Sequence, residues 1–214
     1  MTVLHTSDEL EVRALAVGQL DNNTYLVTCR KDGAQLLVDA ADDPERLLGL
    51  VREGSGSARL DAVVTTHRHP DHHRALASLV ALTGAASMAG SDDADAIHDA
   101  TGVPVVRRLH HDDVLTVGHL TLEVVGLRGH TPGSVALAYR EPGGPVHLFT
   151  GDSLFPGGPG ATRTPADFTS LMADLTDRVF DRFDDDTMVY PGHGKGTTLG
   201  VERPHLDEWR ARGW

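Results

Sequence analysis

Four groups able to bind a metal ion stand close together in Thr66-His67-Arg68-His69-Pro70-Asp71-His72-His73: His67, His69, Asp71 and His72. Imidazoles and a carboxylate crowded at the end of an apolar run cost desolvation free energy unless they are solvated or paired. A shared cation pairs all of them, so metal binding is the chemistry this spacing supports. His67 and His69, at i and i+2, point to one side if the chain stays extended. Pro70 then breaks the extended run, and Asp71 and His72 can turn toward a neighbouring point. Three further candidates sit in turns that follow strand-like runs. They are His130 in Gly129-His130-Thr131-Pro132-Gly133-Ser134, Asp152 in Thr150-Gly151-Asp152-Ser153, and His193 in Tyr190-Pro191-Gly192-His193-Gly194. Flanking Gly and Pro let the backbone turn tightly and carry a side chain to a strand edge. Taken singly each is an ordinary turn; as a set with the first cluster they read as ligands.

The elements that must position these residues are legible in outline. Strands are expected at Glu11–Val17, Thr24–Cys29, Gln35–Asp39 and Asp61–Thr66, with turns at Asp21-Asn22-Asn23 and Lys31-Asp32-Gly33. Helical spacing of Leu47, Leu48 and Val51 predicts a helix over Pro44–Val51 with Asp43 as N-cap, and a second helix is expected over Arg74–Leu82, stopped by Gly84. The second half repeats the plan, with strands at Val114–Val117, Leu120–Leu127, Val135–Tyr139, Val146–Thr150 and Thr187–Tyr190. Phe168, Leu171, Met172, Leu175 and Val179 mark one face of a helix over Pro165–Phe180, and Pro204–Trp209 opens a short terminal helix. Two α/β halves without a linker predict one domain over residues 1–214, an α/β (α+β) sandwich with helices outside.

Composition narrows the function. The chain has 214 residues, 40% hydrophobic and 23% charged, as in ordinary globular proteins. Its 19 basic against 31 acidic residues give a formal charge of −12, which disfavours nucleic acid as a partner. A single cysteine, Cys29, rules out an internal disulfide and a thiolate-only metal site. Met1–Val17 carries Asp8, Glu9 and Glu11 and does not read as a signal peptide, and the weakly polar stretch Ala75–Gly90 is too short and interrupted to span a bilayer. A cytoplasmic protein without a membrane partner is the expectation. Oligomeric state is not readable. Of 13 histidines, His5, His73, His98, His110, His111, His119, His147 and His205 fall outside the pattern and read as ordinary, with His110-His111 a solvated turn.

The order His-x-His-x-Asp-His, a lone His in a His-x-x-Gly turn, Gly-Asp and Gly-His resembles the metal signature of the metallo-β-lactamase superfamily, over Asn23–Gly194. Asn23-Thr24-Tyr25-Leu26-Val27, His130-Thr131-Pro132-Gly133-Ser134, Phe149-Thr150-Gly151-Asp152-Ser153-Leu154-Phe155 and Tyr190-Pro191-Gly192-His193-Gly194 look most like its glyoxalase II-type thioester hydrolases. The resemblance implies a four-layered αββα sandwich with two divalent metal ions, zinc or else iron or manganese, at one edge. It implies that His67, His69 and His130 hold one ion, that Asp71, His72 and His193 hold the other, and that Asp152 bridges them. A hydroxide shared by two ions has a lowered pKa and needs no protein nucleophile, so Asp71 and Asp152 would serve catalysis as ligands that orient it. Asp39 reads equally as a carboxylate orienting a ligand His from behind or as a turn cap.

The departures bear on substrate. Ala75 stands where the family often has Gly. Glutathione-using members carry a basic residue directly after a Gly-x-Gly that here is Gly158-Pro159-Gly160, but Ala161 follows it; the nearest basic residues are Arg163 and Lys195, the candidate substrate contacts. Twenty-one residues follow His193, too few for a C-terminal glutathione-binding helical domain. Only Lys31 and Lys195 among the basic residues are lysine, which with abundant Ala and Gly suggests GC-rich coding, and a mycothiol ester then becomes a candidate, as in S-formylmycothiol hydrolases. The expected activity is metal-dependent hydrolysis of a small thioester. The alternatives are a mononuclear iron persulfide dioxygenase, using two His and one Asp, then a lactonase or β-lactamase; a non-catalytic metal-binding protein is disfavoured by the open coordination position.

Overall fold

A computed structural model describes residues 1–56 and 58–213. The first sheet runs β1 (Thr2–Thr6), β2 (Leu10–Val17), β3 (Asn22–Cys29), β4 (Gln35–Val38), β5 (Ala62–Thr65), β6 (Ala86–Gly90) and β7 (Arg107–Leu109), in that spatial order. β1 to β4 are antiparallel, and β4 to β7 are parallel. Parallel neighbours need crossover connections. Two of these contain α1 (Pro44–Ser55) and α2 (Leu76–Thr83), and the third contains α3 (Ala94–Thr101). The second sheet contains β8 (Val114–Val117), β9 (Leu120–Gly126), β10 (Val135–Arg140), β11 (Val146–Gly151), β14 (Met188–Pro191) and β15 (Thr197–Thr198), ordered β15-β14-β11-β10-β9-β8. A small hairpin of β12 (Leu154–Phe155) and β13 (Gly158–Pro159) stands apart, and α4 (Pro165–Leu175), α5 (Leu199–Glu202) and α6 (Leu206–Arg212) complete the chain.

Alternation along the strands builds three apolar layers. Leu36, Val38 and Val64 from the first sheet meet Leu122, Leu137 and Phe149 from the second between the sheets. Leu37 and Val63 point the other way, onto Leu47, Leu50, Leu76, Leu79 and Ile97 of α1, α2 and α3. On the far side Ala136, Ala138 and Leu148 receive Phe168, Leu171, Leu175 and Trp209 of α4 and α6. Helix, sheet, sheet, helix is the expected αββα sandwich. No helix among the described residues is long and apolar enough to cross a membrane.

Several boundaries differ from the sequence reading. Arg74 and Ala75 are not in α2, because their N–H groups donate to Ala41 and Ala40 carbonyls instead of opening the helix. Asp43 does stand at the start of α1, but in a left-handed conformation (φ 50°) with no side-chain cap; its Oδ2 accepts instead from Gly18 N at 3.3 Å. The helix expected over 165–180 is α-helical to Leu175 and π-helical over Thr176–Phe180. β1, β6, β7 and α3 were unanticipated. β6 is Ala-Ser-Met-Ala-Gly, with little strand propensity of its own, and it forms because β5 and β7 flank it.

Candidate metal centre

The candidate residues come from five strand ends at one edge of the sandwich. β5 leads into Thr66–His73, β9 into the His130 turn, β11 into Asp152, β14 into His193 and β4 into Asp39. Backbone bonds sew the two sheets together at this edge: Asn23 N donates to Gly192 O at 2.7 Å, and Val135 N to Thr66 O at 2.9 Å. Pro70–His72 forms a single 3-10 turn, which swings Asp71 and His72 away from the extended His67–His69 segment.

All seven expected ligands converge. His67, His69 and His130 form one group, and Asp71, His72 and His193 another, with the donor atoms of each within 4.8 Å of one another. Asp152 lies between the groups: its Oδ2 is 3.8 Å from His130 Nε2 and 3.5 Å from His193 Nε2, and its Oδ1 is 3.4 Å from His72 Nε2. Asp71 Oδ2 is 3.4 Å from His193 Nε2.

The surrounding hydrogen bonds set the tautomers. His130 Nδ1–H donates to Ala161 O at 2.7 Å and His193 Nδ1–H to Leu20 O at 3.1 Å; a carbonyl only accepts, so the proton must be on Nδ1. His72 Nδ1–H donates to Asp39 Oδ2 at 2.9 Å. Thr66 Oγ1 donates to Asp39 Oδ2 at 2.8 Å and thereby accepts from His67 Nδ1–H at 3.1 Å. In all four rings Nε2 faces inward, and in His67, His130 and His193 the Nδ1 proton leaves a lone pair there. His67 Nε2 and His130 Nε2, two such lone pairs, stand 3.3 Å apart. That pairing repels unless a cation lies between, and about 3.3 Å is the separation two nitrogens take on a tetrahedral ion with bonds of about 2.0–2.1 Å. Asp152 Oδ1 is buried with no hydrogen-bond partner. The donor set therefore fits divalent metal.

Electrostatics point the same way. Burial, followed by the neighbouring imidazoles, pushes His67 well below the ordinary histidine range, and burial with His130 lowers His69. His72 behaves oppositely: burial opposes its charge, but Asp39 and Asp152 outweigh burial and raise it to about 10. Burial also opposes charge on Asp71 and Asp152, yet the Asn22 amide with His72 and His193 holds Asp71, and the His72, His193 and His130 imidazoles hold Asp152, below the usual carboxylate range. A bound cation would supply the positive charge these carboxylates call for.

Asp39 thus holds His72; its backbone is left-handed at φ 62°, and its carboxylate is taken by Thr66 and His72, not by a local turn. His73, expected to stand outside the set, turns away, its Nε2 directed at Arg68 O at 3.1 Å. Arg163 and Lys195 are exposed; Lys195 lines a groove of about 650 Å³ with Asn23, Tyr25 and Arg46 beside the His193 turn. Two contributors escaped sequence reasoning. Asn22 Nδ2 donates to Asp71 Oδ2 at 2.9 Å and lies 3.2 Å from His193 Nε2. Asp93, buried before α3, accepts from Arg68 N at 3.0 Å, Gly133 N at 3.1 Å and Thr131 Oγ1, tying the His67–His69 segment to the His130 turn. An Asn in a turn and an Asp before a helix carry no sequence signal of such roles.

Comparison with known proteins gives a consistent result. The family model described as Metallo-beta-lactamase superfamily matches residues 17–193. A hydroxyacylglutathione hydrolase from Polaromonas sp. is 34% identical over 175 residues, covering 80% of this chain; the match spans only 62% of that relative's length. The hydroxyacylglutathione hydrolase GloC of Haemophilus influenzae is 26% identical over 210 residues, 91% of this chain and 95% of its own. Among solved structures, ETHE1 from Myxococcus xanthus superposes with a TM-score of 0.76 at 28% identity, covering 91% of this chain and 82% of that one. TTHA1623, solved in a di-iron-bound form, superposes with a TM-score of 0.72 at 34% identity, covering 90% and 97%.

Proposed function

The chain belongs to the metallo-beta-lactamase superfamily, and on that premise we propose that it is a metal-dependent hydrolase of a small acyl thioester. The observation that carries the proposal is the set of four imidazoles, each anchored through Nδ1, whose Nε2 atoms converge with Asp71 around Asp152, a carboxylate whose buried Oδ1 has no hydrogen-bond partner. His67, His69 and His130 would hold one divalent ion, Asp71, His72 and His193 a second, and Asp152 both. When bound, such a pair of ions supplies Lewis acidity, lowering the pKa of a shared water and polarising an acyl carbonyl.

The chain's own residues do the positioning. Asp39, Thr66, Ala161 O and Leu20 O occupy the four Nδ1 positions and turn every Nε2 toward the site, where an ion would replace the proton that His72 carries. Asn22 fixes the Asp71 carboxylate through Oδ2. Lys195, which follows the His193 turn, and Arg163, which follows Ala161, would meet an anionic thiol carrier. Ala161 lends only its carbonyl to His130, so the basic contact of glutathione-using members is missing at that position, which favours another carrier such as mycothiol or coenzyme A. The hydroxyacylglutathione hydrolases among the relatives support thioester chemistry, and their names specify the acyl-thiol bond. Zinc is the proposed metal; the di-iron form of TTHA1623 makes iron the competitor. The proposal treats residues 1–214 as one domain.

The test is a metal analysis of protein purified without added metal, followed by thiol-release assays on lactoylglutathione, a formylmycothiol and a short acyl-coenzyme A. Near two zinc per chain, with turnover of one thioester that chelation abolishes and zinc restores, is the expected result. One iron per chain with oxygen uptake on glutathione persulfide, and no thiol release, would overturn it in favour of a dioxygenase. Turnover of lactones alone would make the enzyme a lactonase.

A further inference from the structure

At the opposite end of β11 from Asp152, about 16 Å away at ~3.3 Å per residue, three potential ligands meet that the family signature does not include. His5 lies on β1 of the first sheet, His147 on β11 of the second, and Glu141 follows β10. Their donor atoms all lie within 4.8 Å of one another. His5 Nε2 is 2.9 Å and His147 Nε2 3.4 Å from the same oxygen, Glu141 Oε2. The two rings are tilted with centroids 4.3 Å apart.

We propose that His5, Glu141 and His147 form a separate mononuclear site for a divalent cation of the zinc class, which clamps β1 to the β10–β11 hairpin. Two imidazole nitrogens and one carboxylate are a zinc donor set that leaves a fourth position for water. The 3.4 Å separation is close to what a tetrahedral ion imposes, and the 2.9 Å one needs a shift of a few tenths of an ångström. His147 is preorganised: its side chain is fully buried, its Nδ1 is 2.9 Å from Tyr190 Oη, and the two rings are stacked. Glu141 Oε2 only accepts, so without an ion Nε2 carries the ring proton toward it and Tyr190 Oη donates to Nδ1; an ion at Nε2 would displace that proton, and the Tyr190 hydroxyl can turn to accept from Nδ1–H. His5 Nε2 is buried and, despite its closeness to Glu141, lacks an aligned hydrogen-bond partner.

β1 itself supplies the second line of support. Its Thr2, Val3, Leu4 and Thr6 are all exposed, and His5 alone is drawn inward. The β1–β2 ladder is irregular between Val3 and His5, a bulge of the kind that re-aims a side chain. A quarter of the His5 side chain remains accessible, which gives an ion a way in. A metal here would join the two sheets through the edge strand.

The test uses the full chain stripped of metal, then equilibrated with micromolar free zinc. Wild type, His5→Gln and Glu141→Gln are compared by bound zinc per chain and by amide exchange of residues 2–6. His147 is left intact because it is a fully buried core side chain. Each variant is expected to bind one equivalent less than wild type, whatever the number held at the His67 cluster. Zinc is expected to slow exchange across β1 in wild type at least tenfold and in neither variant. Equal stoichiometry in all three proteins, or extra binding only at millimolar zinc, would overturn the site and leave a hydrogen-bonded triad.

Discussion

Asp39 Oδ2 lies 2.9 Å from His72 Nδ1, with both side chains almost wholly out of solvent, 33 residues apart in the chain and on adjacent parallel strand ends. The same carboxylate accepts from Thr66 N at 2.7 Å and Thr66 Oγ1 at 2.8 Å, so one anion orients His72 directly and His67 through the threonine hydroxyl. Both proposed metal positions are therefore coupled to one buried residue that would itself touch neither ion.

Asp39→Asn tests that coupling. Asn tolerates the left-handed φ of 62° at this position, so the backbone is preserved. Its amide, in either orientation, turns N–H groups toward donors from Thr66 or His72. The expected result is a metal affinity about 10–100-fold weaker in chelator competition. Unchanged affinity would reduce Asp39 to a turn cap.

Asp93→Ala removes the acceptor shared by Arg68 N, Gly133 N and Thr131 Oγ1. Buried donors left unsatisfied cost about 1–3 kcal/mol each. Denaturant unfolding of the variant should show a loss in that range or above, accompanied by weaker metal binding. A stability loss without any change in metal affinity would separate Asp93 from the His130 turn's positioning.

Gly192→Ala places a methyl group 2.1 Å from Asp152 Oδ1 and 2.7 Å from His72 Cε1, so the carboxylate or the ring must move. Metal content should drop and thioester turnover fall by more than tenfold. Gly194→Ala is the matched comparison: its φ is 70°, but nothing lies within 4 Å of the added carbon. It should cost about 1 kcal/mol of backbone strain and leave metal content unchanged. Equal metal loss in the two variants would contradict a steric role for Gly192.

The metal-free protein should be most stable near pH 6.5. His67 and His69 have native pKa values below 6.5, so below that pH the unfolded chain takes up more protons and stability falls with the pH. His72 is raised to about 10, so its contribution is complete below 6.5 and is lost as the pH rises toward 10. Zinc should flatten the alkaline limb, since ligation replaces the proton on His72. Thermal melts from pH 5 to 10, with and without zinc, would show the two limbs; a chelated protein whose stability rises steadily from pH 7 to 10 would contradict the assignment to His72.

Much of this was readable in the chain. The spacing of His67, His69, Asp71 and His72, and the Gly- or Pro-flanked turns of His130, Asp152 and His193, depend on local chemistry: crowded ligands and tight turns leave a mark within a few residues. The strands with strong apolar patterns, alternating in β9 and continuous in β10, were equally visible. β6 was not, since small residues carry no strand preference and its place is set by β5 and β7. Asp43 stands at the N-cap of α1 as expected, but without the side-chain cap bond, because a contact with Gly18, 25 residues away, takes its carboxylate.

The sequence by itself determined the ligand types, their order and the strand ends that carry them, because those follow from short-range pattern. Tertiary structure alone decided which atoms face each other. It gave Asp39 to His72, Ala161 O to His130 and Leu20 O to His193, placed Asn22 beside Asp71, and brought His5 to Glu141 and His147 across two sheets. These are pairings between residues far apart in the chain, and a chain's local pattern holds no record of which strand end will lie beside which.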